Sequence, residues 1–155
     1  MYRKAIEKLI EWKNDNDRKP LILNGARQVG KTWILKEFGK NYYKKVAYIN
    51  MDQNPRMQAL FYDFDTERLL QGFKAETGVS IEPENTLIIL DEIQEIPEAI
   101  TSLKYFCENA RNYHIVVAGS LLGVSIHKGI SFPVRQSRFY AIISTKFYRI
   151  FNCNR

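Results

Sequence analysis

Leu21-Ile22-Leu23-Asn24-Gly25-Ala26-Arg27-Gln28-Val29-Gly30-Lys31-Thr32-Trp33-Ile34-Leu35 carries one apolar run into another through the pattern G-x-x-x-x-G-K-T at residues 25–32. The flanks predict a strand, a loop and a helix, the context this phosphate-cradling motif requires. Its spacing follows from chemistry. Gly25 and Gly30 let backbone N–H groups converge on phosphate oxygens, and the helix that begins near Gly30 adds its positive dipole end. The whole octapeptide, Gly25, Ala26, Arg27, Gln28, Val29, Gly30, Lys31 and Thr32, is therefore a candidate nucleotide cradle. Lys31 is expected to reach the β- and γ-phosphates. Thr32 offers a hydroxyl to Mg²⁺, which prefers phosphate oxygens, waters and one or two protein oxygens.

About sixty positions downstream, Leu87-Ile88-Ile89-Leu90 ends in Asp91-Glu92. This places two carboxylates at the end of a strand buried on both faces, where open α/β sheets bind their ligands. Asp91 suits orientation of Mg²⁺ or its water shell, and Glu92 suits polarisation of a water that attacks the γ-phosphate. A helix-capping role for the pair is the alternative. Val117-Ala118-Gly119-Ser120 brings a further small polar side chain to the same edge. Ser120 fits a contact with the γ-phosphate or attacking water, and it equally fits a helix N-cap.

The remaining chain frames these motifs as one α/β domain. Tyr2, Ala5, Ile6, Leu9, Ile10 and Trp12 mark a leading helix over residues 2–13, ended by Asn14-Asp15-Asn16-Asp17. Strands are expected at 20–24, 46–50, 86–90 and 114–118. The phosphate-loop helix is expected to run to about residue 39, with Gly39 as its C-terminal cap. Residues 55–77 carry mixed helical signals, Pro97 opens a helix to about 110, and Gly119-Ser120 opens another. Alternation of strands and helices argues for a sheet with right-handed crossovers. His114 and His127 neighbour no nucleophile or metal partner and read as packing or solvent residues. Tyr42-Tyr43-Lys44-Lys45 reads as a cap on the sheet before the second strand.

Composition excludes several functions. The 155 residues are 45% hydrophobic, and no run approaches the ~20 apolar residues of a membrane helix. The start Met1-Tyr2-Arg3-Lys4 leads into an amphipathic segment, so a cytoplasmic location without membrane contact is expected. Cys107 and Cys153 have no metal-ligand spacing. The net charge of +6 is concentrated in the tail. Residues 133–155 hold Arg135, Arg138, Lys146, Arg149 and Arg155 and no acid, leaving 18 basic against 17 acidic residues in 1–132. The main body thus lacks an electrostatic footprint for nucleic acid.

With GARQVGKT, LIILDEIQEIP and VVAGSLLG in this order, the chain resembles the prokaryotic AAA-type ATPases. Full-length members of that family carry a C-terminal domain of unknown function with a restriction-endonuclease-like fold. The resemblance covers about residues 1–134, including Trp12-Lys13 and Arg18-Lys19-Pro20. It implies an α/β P-loop NTPase fold of the AAA type, a parallel sheet flanked by helices in strand order 5-1-4-3-2. It further implies ATP and Mg²⁺ as ligands, Lys31 and Thr32 on phosphate and metal, Asp91 and Glu92 as the acidic pair, and Ser120 at the sensor position. A protein partner or homo-oligomer is compatible with it, and the partner is not named by it.

After Pro133-Val134 the pattern departs. Such proteins continue with Gly-Lys or Gly-Arg, a fifth strand and a segment resembling F-x-x-L-Y-P-L-x-F-x-E-F, whereas this chain reads Arg135-Gln136-Ser137-Arg138-Phe139-Tyr140. Residues 1–134 are therefore read as an ATP-binding domain incomplete at its C-terminal end and 135–155 as a divergent basic and apolar tail. A missing fifth strand would leave the first strand as an open edge.

The leading expectation is an ATPase core, truncated, that couples ATP·Mg²⁺ binding and hydrolysis to a conformational switch. The alternative is a nucleotide-binding module without turnover, regulatory or nonfunctional. A GTPase is disfavoured because no D-x-x-G follows Asp91 and no N-K-x-D occurs, while a small-molecule kinase would reveal itself by transfer to an acceptor other than water. Permitted codons for Arg135 to Arg155, read one base later, give G-K-V-D-F-M-Q-L-Y-P-L-N-F-I-E-F-L-I-A-T. The tail is thus expected to be a frameshift product. The coding DNA tests this: the shifted frame must continue as a long open reading frame, and an early stop codon there refutes the frameshift.

Overall fold

Strands buried on both faces need helices on both faces, and the alternation of side chains along each strand decides which helices they meet. The computed structural model describes residues 2–25, 29–119, 138–143 and 146–149. Its elements are α1 (Tyr2–Lys13), β1 (Leu21–Gly25), α2 (Lys31–Tyr42), β2 (Lys45–Asn50), α3 (Pro55–Leu60), α4 (Thr66–Thr77), β3 (Thr86–Asp91), a one-turn 3₁₀ helix (Ile93–Glu95), α5 (Pro97–Asn109), β4 (His114–Gly119), β5 (Arg138–Ile143) and β6 (Lys146–Arg149). Among these helices, none is long and apolar enough to cross a membrane.

The strands form one sheet in the order β2-β3-β4-β1-β5-β6. The first five run parallel and β6 returns antiparallel to β5. Ile22, Ile49, Ile88, Leu90, Ile115 and Val117 form a core with Met57, Leu69, Phe73, Ile100 and Phe106 of α3, α4 and α5. The residues between them, Leu21, Leu23, Leu87, Ile89, Val116 and Ala118, meet Ala5, Leu9 and Trp12 of α1 and Leu35 and Phe38 of α2 on the other face. One sequence period therefore builds both halves of the core.

Local chemistry sets the helix ends. The Asp65 carboxylate caps α4 by accepting from the Arg68 N–H at 2.9 Å, and Gly78 closes it at φ 68°. Asn54 caps α3 ahead of Pro55. The expected end of α2 at Gly39 is corrected: the helix continues to Tyr42 and ends at Tyr43, whose N–H bonds the Gly39 carbonyl. Gly39 is buried inside the helix for a different reason. A Cβ there would lie 2.7 Å from Val46 Cγ2 and 3.2 Å from Leu87 Cδ2, so the missing side chain is what lets α2 rest closely on β2 and β3.

The far edge of β1 is also corrected. β5 pairs with it in parallel, from Leu21↔Arg138 to Gly25↔Ile142, so β1 is an interior strand and a strand occupies the fifth position. Phe139-Tyr140-Ala141-Ile142-Ile143 is aromatic and β-branched enough to sit in a sheet, and the unpaired N–H and C=O groups of β1 supply the template. The observed order, read from the other edge, contains the expected 5-1-4-3-2. The helix expected from Gly119-Ser120 onward falls outside the described residues, as does His127.

His114 is a packing residue, as expected, and its setting is specific. It is 3% exposed, lies edge-on to Trp12 and Tyr43, and its Nδ1 is 2.6 Å from the Tyr43 hydroxyl. Its buried Nε2 has no hydrogen-bond partner among the described residues. Burial, then the charges of Arg18 and Lys13, push its pKa down to about 3. Burial also raises the Tyr43 hydroxyl well above the usual phenol range, against the pull of Arg18. The sign of the linkage is clear. Below about pH 6.5 the unfolded chain protonates His114 and the folded chain does not. Stability present above that pH is lost as pH falls toward 3, with a slope approaching about 1.4 kcal/mol per pH unit from this group. Urea unfolding at pH 7.0, 6.0 and 5.0 checks it: wild type should weaken across the series, and His114→Phe should flatten the dependence.

Candidate functional site

The C-terminal ends of β1 and β3, together with the first turn of α2, bring the predicted residues to one place. β1 stops at Gly25 and α2 starts at Lys31, with Gly30 as N-cap at φ 82° and ψ 18°. Space does not dictate glycine at residue 30, because a Cβ would meet nothing within 4 Å. The left-handed backbone dictates it. Val29 and Gly30 are the described residues between β1 and Lys31; Ala26, Arg27 and Gln28 lie outside the described residues.

Lys31 is 8% exposed and its Nζ donates to the Gly25 carbonyl at 2.9 Å. The ammonium thus turns back toward the end of β1. Burial pulls its pKa below the ordinary lysine value, while the nearby charges of Glu92 and Asp91 oppose that shift. A cation poised this way gains by meeting anionic oxygens, since they would replace the solvation it lacks.

Thr32 and Asp91 join α2 to β3. The Thr32 hydroxyl donates to Asp91 Oδ2 at 2.6 Å, across 59 positions of sequence. Because its only proton points at Asp91, the lone pairs of Thr32 Oγ1 remain free to face a cation. Asp91 is 4% exposed and accepts two more bonds, from the Tyr48 hydroxyl to Oδ2 at 3.0 Å and from the Glu92 N–H to Oδ1 at 3.0 Å. A carboxylate this buried needs such donors in place of the water it has lost.

Glu92 follows at a sharp bend. Its backbone is left-handed, φ 53° and ψ 43°, a conformation a non-glycine residue adopts at a cost, as Gln53, Phe64 and Glu84 also do elsewhere in the chain. Its Oε2 accepts from Gln94 Nε2 at 2.5 Å. Gln94 in turn abuts the end of β4: a Cβ on Gly119 would lie 2.4 Å from Gln94 Oε1 and 3.1 Å from Ile93 Cγ2. The glycine at 119 is therefore a close-approach residue between the 3₁₀ turn and β4. Ser120, next in the chain, lies outside the described residues.

Two site residues escape the motif reading. Tyr48 sits near the end of β2, its ring 3.5 Å beneath Lys36 Nζ, and its hydroxyl is pushed up to about 12 by burial first, then by Asp91 and Glu92. It stays a protonated donor. Gln94 is the other. The signal for Tyr48 is only visible once β2 is known to lie beside β3 in the register Tyr48↔Ile89 and Asn50↔Asp91. For Gln94, proximity to the acidic pair was the available hint.

A family model described as an AAA domain matches residues 17–151, which is more than half of the chain. The match extends past Val134, where the motif pattern departs. No curated protein matches the chain at a significant level. Among solved structures, the chain is similar to the Aeropyrum pernix Orc1 protein, determined in complex with DNA, at a TM-score of 0.53 and 17% identity, covering 92% of this chain and 43% of that one. It is also similar to C. elegans PCH-2, TM-score 0.46, 16% identity, 92% and 39% covered. A third is unliganded Pif1 from Bacteroides sp, TM-score 0.44, 16% identity, 96% and 42% covered. The chain spans less than half the length of each of these proteins, and at such identities the likeness to Orc1 concerns the fold.

Proposed function

We propose that this chain, which belongs to the AAA domain family, is an ATPase core that binds ATP with Mg²⁺ and uses hydrolysis to drive a conformational switch. The observation that carries the reading is the 2.6 Å bond from Thr32 to Asp91, which couples the phosphate-loop helix to the acidic strand end.

The residues present fit the metal. Mg²⁺ takes hard oxygen ligands and keeps phosphates and waters in its shell, and Thr32 with Asp91 supplies one hydroxyl and one carboxylate. Among the described residues no group of three or more His, Cys, Asp or Glu side chains could hold a metal alone. When bound, Mg²⁺ neutralises charge on the phosphate oxygens. Lys31 Nζ exchanges the Gly25 carbonyl for β- and γ-phosphate oxygens, and the N–H groups of the α2 N-terminus face the same anion. Glu92, freed from Gln94, accepts the proton of the attacking water. Ser120 lies one residue beyond β4 and serves as the γ-phosphate contact. We place the protein in the cytoplasm, acting with a protein partner or a second copy of itself.

Calorimetric titration with ATP and phosphate-release assays test this reading. Lys31→Ala should abolish ATP binding, and equal binding by that variant would refute the site. Glu92→Gln should keep binding and slow phosphate release by roughly 10²–10⁴. Binding without any phosphate release from wild type would favour a nucleotide-binding module that does not turn over.

A further inference from the structure

The opposite edge of the sheet, where the parallel strands begin, holds a cavity of its own. α1 ends at Lys13, β3 begins at Thr86 and β4 at His114. The turns around these points enclose about 500 Å³, lined by Lys13, Asp15, Arg18, Glu84, Asn85 and His114 among others. That volume falls within the ~300–1,000 Å³ of small-molecule sites. The cavity adjoins the far end of α2 from the phosphate loop, since Lys13 Nζ donates to the carbonyl of Tyr42, the last residue of that helix.

The inner wall supplies donors. Arg18 is half-buried, and its guanidinium gives one N–H to the Lys13 carbonyl at 2.9 Å and another to the Arg111 carbonyl at 3.4 Å. Among the described residues neither Arg18 nor Lys13 forms an ion pair. Burial lowers the Arg18 pKa from the usual guanidinium value, opposed by Tyr43, Glu84 and Asp15, the mark of a cation short of solvation. His114 adds a further donor. When the Tyr43 hydroxyl donates to Nδ1 across their 2.6 Å contact, the ring hydrogen sits on Nε2, the buried atom without a partner among the described residues. The outer wall carries acceptors instead. Glu84 is exposed and forms no ion pair among the described residues, while Asp15 Oδ1 already accepts the Asp17 N–H at 2.8 Å.

We propose that this cavity binds a free α-amino acid, its carboxylate inward on Arg18 and His114 Nε2–H, its ammonium outward on Glu84. The planar guanidinium fork matches a carboxylate in two parallel bonds. Lys13 and Arg18 are balanced in charge by Asp15 and Glu84, so a simple anion such as phosphate is repelled as well as attracted. A lone amine leaves the inner donors unserved, and a lone carboxylate leaves Glu84 unused. A ligand with both charges on adjacent atoms answers both walls, and the remaining volume takes its side chain. The inference does not depend on the ATP·Mg²⁺ reading of the other edge.

Nuclear magnetic resonance titration of the ¹⁵N-labelled full chain, without nucleotide, tests it. The probes are glycine, L-alanine and L-glutamine, compared with acetate, methylammonium and inorganic phosphate. At least one amino acid should give saturable shifts at the amides of Arg18, Asn85 and His114 and at His114 Nε2, with roughly tenfold or more tighter binding than acetate. Arg18→Met should abolish that saturation. Because Arg18 also ties α1 to Arg111, the exposed Glu84→Gln serves as the second variant. It should weaken amino-acid binding roughly tenfold and leave acetate binding unchanged. No saturable shift with any of the three amino acids would overturn the proposal. So would phosphate or acetate binding as tightly as the best amino acid, or wild-type affinity in Glu84→Gln.

Discussion

The Asp91 carboxylate is the constraint on which the site depends. A 4%-exposed anion has little water to solvate it, so its position is tenable only where donors converge. Three do, from the first turn of α2, from β2 and from the backbone just beyond β3. Each of these requirements fixes something larger. α2 must begin beside the end of β3, β2 must be the neighbour of β3, and the chain must turn sharply after Asp91. Gly39 serves the same end from a distance, since it lets α2 lie close enough to β2 and β3 for Thr32 to reach across.

Much of this was legible in the residues themselves. The apolar runs around 21–23, 87–90 and 115–118 become β1, β3 and β4, and the phosphate-loop signature sits between a strand and a helix as its spacing requires. Two features were misread for identifiable reasons. Gly39 looks like a helix terminator to any local rule, because glycine usually ends helices through its backbone freedom. Here it is chosen for the absence of a side chain against Val46, a tertiary fact with no local signature. The tail looked unable to continue the sheet because its motif pattern is absent. Backbone pairing with β1 needs no such motif, only a β-prone stretch of adequate length. The Tyr48 contact was illegible for a related reason: it joins residues 43 positions apart, and only strand order reveals it.

Glu92 illustrates how strain and chemistry share one residue. Its left-handed backbone makes the turn that gives Asp91 the Glu92 N–H, and its side chain is held by Gln94, which itself presses on Gly119. The end of β3 and the end of β4 are thereby mechanically linked through one amide side chain. A shift in either strand end moves the partner of the Glu92 carboxylate.

The interior position of β1 has a consequence for the order of events during synthesis. Its two neighbours are β4, beginning at His114, and β5, beginning at Arg138, so the strand that carries the phosphate loop has no sheet partner until β2 and β3 have been made. Pairings of such long range are slow to form because loop closure precedes any reward from contact. On a ribosome adding about 5–20 residues each second, β2 and β3 can pair while β1 is still waiting. The strand that leads into the phosphate loop is then paired later than β2 and β3, although its residues are made before theirs.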